Sequence, residues 1–313
     1  VSVKDKWTDI ERRTRAAAEN CEITKYYAEG FPTIFTNFGP GCMSACIGGD
    51  FVLAESTIWF DRNPIITNWE KVPKILFDDN SEMWKLTYEL TKMLGKESLG
   101  RYHTSISDIG GSLDIVASLR GTLELLYDLV DYPEQVKKVH LEVEEIWKEV
   151  YTLLYNESIK YQEGMTSWMP IWCKKRYYPL QCDFCAMISP DMFDEFVKPS
   201  LVSQTEWLDH SIYHLDGPGE VCHLDSLLDI QRLDAIQWTP GDGRRPISDE
   251  FYFDMYNKIL RSGKGLVLFS VPLSGLENLL KNISTKGLYV NMSVESDEEA
   301  EYAIKIAQSY GVK

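Results

Sequence analysis

The chain has 313 residues, of which 44% are hydrophobic and 26% charged, and 48 acidic against 32 basic side chains leave a formal net charge of −16. That composition supplies apolar material for a core and excludes a disordered tail or a fibre, while the sign of the charge disfavours a general role on nucleic acid or an anionic membrane. No apolar run reaches the roughly 18 residues that span a bilayer, and seven cysteines without zinc-ribbon spacing read as reduced thiols of a cytoplasmic protein.

The chain opens on Val1 without a methionine or a signal-peptide core, which reads as a processed or truncated start. Arg12, Arg13 and Arg15 then fall in a charged helical stretch. Compact apolar runs predict strands at 33–38, 102–107, 180–184, 212–216, 235–239, 266–271 and 288–292, each without the strict alternation of a half-exposed strand. Met165 to Met169 reads as one arm of a hairpin that closes near Lys174 and Lys175, with Tyr177 and Tyr178 on the returning arm. Between the runs lie helical patterns. Pro133 opens one whose apolar positions Val136, Val139, Val143, Ile146, Val150 and Leu154 form a single stripe. Ser189-Pro190 and Ser296-Asp297-Glu298-Glu299 give two further helix starts. Strand-then-helix alternation without a linker predicts one α/β domain over 1–313, a single (β/α)8 TIM barrel with a β-hairpin insertion around 165–182.

In such a barrel the carboxyl ends of the strands carry the active site. That rule selects Asn37 after the first strand, Tyr102, His103 and Asp108 around the second, Cys182 and Asp183 after the next, then His214, Asp216, Glu220 and Trp238. His214 and Asp216 stand two apart and face one side of a strand. They read either as metal ligands or as a hydrogen-bonded structural or acid–base pair, and Cys182 either as a further metal donor or as a buried cysteine acting as a small hydrophobe. His103 with Asp108, and Asp183, are candidate acids and bases. Asn37, Tyr102, Trp238 and Glu220 are candidate substrate contacts. Cys222 and His223 read as the first turns of a helix, and His140 and His210 as surface residues. The glycine-rich stretches match no phosphate-binding loop, so a nucleotide cofactor is not supported.

Several segments together resemble the uroporphyrinogen decarboxylase superfamily. They are Ser107-Asp108-Ile109-Gly110-Gly111, Leu119-Arg120-Gly121, Leu129 to Val136, the Ser189-Pro190-Asp191-Met192-Phe193-Asp194-Glu195-Phe196-Val197-Lys198-Pro199 helix, Tyr213-His214-Leu215-Asp216-Gly217, and Leu233 to Trp238. The resemblance covers residues 100 to 313 and implies a (β/α)8 barrel. One branch of that superfamily decarboxylates uroporphyrinogen with arginines near its N-terminus, a motif absent here, and a chain with 11 arginines is a poor host for eight carboxylates. The other branch comprises cobamide-dependent methyltransferases that work with a separate corrinoid protein. Its thiol-methylating members bind zinc through a His-x-Cys pair, which becomes His214-x-Asp216 in this chain. The resemblance therefore implies metal-assisted methyl transfer between a small methylated amine or ether and a corrinoid, with a decarboxylase of smaller carboxylated substrates as the alternative.

Overall fold

The computed structural model describes residues 1–60 and 62–312. Among the described residues nine short strands run in chain order: β1 (Thr33–Ile34), β2 (Val52–Leu53), β3 (Ile58–Trp59), β4 (His103–Thr104), β5 (Tyr177–Leu180), β6 (His210–Asp216), β7 (Ala235–Thr239), β8 (Gly265–Leu268) and β9 (Leu288–Val290). The last five form one parallel sheet in sequential order, β5-β6-β7-β8-β9. Helices fill each crossover, as parallel neighbours require. β1 and β4 make a separate parallel pair, and β2 with β3 a short antiparallel one. The hydrogen bonds among the described residues thus draw a mixed α/β fold around a five-stranded parallel sheet. They do not trace the continuous ring of eight strands anticipated from the sequence.

The helix signals were read from local chemistry and hold at that level. Pro133–Ser158 is one helix with proline in its first turn, and all six stripe residues are buried. Ser189 accepts from Met192 N at 3.2 Å and Ser296 from Glu299 N at 3.2 Å, each satisfying an otherwise orphaned N–H of a first turn. Among the described residues no helix is long and apolar enough to cross a membrane.

Two local expectations need correction. Met165 and Cys173 exchange backbone hydrogen bonds of 2.6 and 2.8 Å, so the antiparallel loop closes within 165–173 and does not extend to 182. Tyr177 and Tyr178 belong instead to β5, fully buried in the parallel sheet. His140 is buried as well: its Nε2 lies 2.7 Å from Ser112 Oγ, which is 2.9 Å from Ser200 Oγ.

The sheet separates two apolar layers. Tyr213, Leu215, Ile236, Trp238, Leu266 and Leu268 face the main core beneath the helices. Ile212, Ala235 and Val267 face the other way, with Tyr177 and Met169, and Trp168, Phe269 and Tyr289 pack against them. This alternation decides which side chains can meet at the strand ends.

Candidate active site

Asp108 follows β4 by four residues and is buried, at 8% exposure. Its Oδ1 accepts from Gly110 N at 2.9 Å and from the Tyr178 hydroxyl at 3.0 Å, and that hydroxyl accepts from Ile109 N at 2.7 Å. Desolvation pushes the Asp108 carboxyl up to about 6, against the two hydrogen bonds; the charge of Asp183 adds to the rise and that of His214 opposes it. The loop that holds it depends on glycine. At Gly110, with φ of +70°, a Cβ would meet Pro40 O at 2.2 Å, and at Gly111 it would meet Gln181 O at 2.2 Å.

Asp114, in the helix Ser112–Arg120, reaches across to the turn after β5. Its Oδ1 accepts from Phe184 N at 2.8 Å and its Oδ2 from Asp183 N at 3.1 Å. The carboxylate therefore clamps the start of the 3-10 turn Asp183–Met187. Desolvation and the neighbouring Asp183 carry Asp114 up to about 7. Asp183 itself is exposed, and partial desolvation raises it, with His214 lowering it and Asp216 raising it. Asp114 was missed by sequence reasoning because it sits in the first turn of its helix, where an aspartate reads as a charge that complements the helix dipole.

On β6, His214 and Asp216 are both partly exposed while Tyr213 and Leu215 between and beside them are buried on the opposite face. His214 pairs in register with Gln237, and its Nδ1 is hydrogen-bonded to Gln237 Oε1. An amide oxygen only accepts, so Nδ1 is the donor in that bond. Trp168 packs edge-on against the imidazole, with ring centroids 4.9 Å apart. Gln237 had no sequence signal beyond its position, since only the cross-strand register puts it beside the histidine.

Other candidates lie elsewhere. Trp238 pairs in register with Leu215, so it faces the main core, fully buried against Tyr252 with centroids 5.5 Å apart. A one-residue offset along β7 is enough to reverse its face. Tyr102 and His103 precede or begin β4 and so stand at the opposite end of the strand from Asp108: the Tyr102 hydroxyl donates to Leu94 O at 3.1 Å, and His103 meets the edge of Phe31. Asn37 follows β1 at the correct end, but its Oδ1 is occupied by Gly39 N at 2.8 Å. Glu220 is 1% exposed behind the site, within 3.3 Å of the Tyr213 hydroxyl. Burial first, then Cys185 and Asp183, push it up to about 11, so it is protonated at neutral pH.

Among the described residues the expected zinc donors do not come together. Cys182 is buried on the core side, its thiol surrounded by Cys185, Asp114 and Glu220 and pushed well above the usual thiol range. It does not converge with His214 and Asp216, and no group of three His, Cys, Asp or Glu among the described residues is arranged to hold a metal ion. Cys222 and His223 lie in the short 3-10 turn Val221–His223, with His223 stacked on Phe193 at 4.5 Å.

The class of fold that these elements define has a solved counterpart. The structure superposes on a methyltransferase from Methanosarcina mazei with a TM-score of 0.65, covering 98% of this chain and 90% of that one, at 10% sequence identity. At that identity the likeness establishes a shared fold. No family model and no curated protein matches the sequence.

Proposed function

We propose that the chain is an enzyme of the uroporphyrinogen decarboxylase type, built on a (β/α)8 barrel, that moves a methyl group from a small methylated donor to an external nucleophile. The observation that carries this reading is Asp108: a buried carboxyl held by Gly110 N and the Tyr178 hydroxyl and raised to about 6, in a fold shared with a methyltransferase. A near-neutral acid suits protonation of a leaving amine or alkoxide as its bond to methyl breaks. The resemblance implies a corrinoid on a partner protein as the acceptor; docked at the strand ends, it would supply the nucleophile. The accessible His214, Asp183 and Asp216 leave that face open to such a group. Tyr178 and Gly110 hold Asp108 in place, and Trp168 and Gln237 fix the imidazole. No step runs through a metal, since among the described residues no three donors are arranged to hold one.

The strongest charges felt by Asp108, Asp114, Asp183 and Glu220 come from one another, from Asp216, from a nearby thiol and from His214, none from lysine or arginine. Such a site matches an uncharged or cationic donor better than the carboxylated substrate of a decarboxylase. The test is methyl transfer to cob(I)alamin from a panel of methylated amines and methyl ethers. At least one donor is expected to react, with the rate falling as pH rises through about 6, because the protonated form of Asp108 is the active one. Asp108→Asn is expected to lower the rate about 10²–10⁴-fold. Failure of the whole panel, or an unaffected Asp108→Asn, would sink the reading.

A further inference from the structure

The turn that presents Asp183 has a thiol on either side of it. Cys185 N donates to Cys182 O at 3.0 Å, closing a four-residue turn. Such a turn holds its end Cα atoms within about 7 Å, close to the range a disulfide spans. Both side chains are fully buried. Of the seven cysteines, Cys222 alone is exposed. His223 Nε2 lies 3.5 Å from Cys222 Sγ and 2.8 Å from Cys185 O, so the exposed sulfur is no more than 6.3 Å from the Cys185 carbonyl. The same turn is clamped by Asp114 through the N–H groups of Asp183 and Phe184.

We propose that Cys182 and Cys185 form an oxidisable dithiol which Cys222 connects to solvent, with a low-molecular-weight disulfide as the oxidant. Cys222 Sγ attacks one sulfur of the oxidant, whose S–S bond breaks and releases the first small thiol. Cys185 Sγ displaces the second small thiol from Cys222, and Cys182 Sγ then attacks Cys185 Sγ and returns Cys222 to its thiol. In sum, two protein thiols lose two electrons and two protons, and the oxidant leaves as two thiols. The product is a ring of four residues that contains Asp183, so oxidation acts directly on the rim of the site. Burial makes a direct attack on Cys182 or Cys185 slow, which is why the route begins at Cys222.

The test uses reduced full-length protein, oxidised glutathione, and intact-mass and peptide mapping after an acid quench and alkylation. The expected product has lost two hydrogens, carries no glutathione, and has Cys182 and Cys185 unalkylated in one peptide. Cys222→Ser is expected to form the same product at least about tenfold more slowly. Cys185→Ala is expected to stop at a glutathione adduct on Cys222. The proposal is overturned if the wild-type protein stops at that adduct, if the bond forms between other cysteines, or if Cys222→Ser reacts at the wild-type rate. These readouts need no methyl-transfer assay, so they stand or fall apart from the proposed activity.

Discussion

Glu220→Gln should make the protein more stable at neutral pH, and the gain should disappear in acid. In the folded chain Glu220 holds its proton up to about 11, whereas its ordinary value is 4.5. The folded state therefore binds one more proton than the unfolded state between those limits, and stability falls as pH rises above 4.5. At about 1.36 kcal/mol per pH unit, the loss reaches about 3 kcal/mol by pH 7. Glutamine removes the titration while its amide oxygen can still accept from Tyr213, so the substitution keeps the acceptor and deletes the cost. Urea unfolding of both proteins at pH 5, 6, 7 and 8 reads the effect as a widening difference. Asp108 and Asp114, raised to about 6 and about 7, bend the curve in the same sense in both proteins and cancel in the comparison. Parallel curves from pH 5 to 8 would refute the reasoning, since they would mean that Glu220 ionises normally in the fold.

Other expectations follow from the same geometry. His140 is depressed by burial to about 4, so its contribution is fully present above 6.5 and is lost as pH falls toward 4; His140→Gln should flatten stability over that window by about 1.4 kcal/mol per pH unit in urea melts. Gly111→Ala drives a methyl into the Gln181 carbonyl, a backbone group that cannot swing aside, and should cost about 1–3 kcal/mol in the same assay. Asp114→Ala frees the N–H groups of Asp183 and Phe184 and should speed their hydrogen exchange at least about tenfold, a change confined to that turn; unaltered protection there would show that the clamp is not what orders it.

What could be read in advance was whatever depends on near neighbours in the chain. The helix from Pro133, the caps at Ser189 and Ser296 and the strand Ala235–Thr239 follow from residues within a few positions of one another, and each forms as its local chemistry dictates. The shared side of His214 and Asp216 was likewise fixed by their spacing of two. Assignments that needed a partner from far along the chain were not legible. Trp238 and Gln237 are adjacent, and only the register of β7 on β6 sends one to the core and the other to His214. Cys182 looked like a ligand until the turn after β5 buried it against Cys185 and Glu220. Asp114 carried no signal at all, because its two acceptors meet N–H groups 69 and 70 residues away. Sequence by itself determined the elements whose signals are local and pointed to the strand ends as the place for a site. The tertiary structure alone decided which acids are desolvated and which side chains face one another, because burial and register are properties of packing between segments.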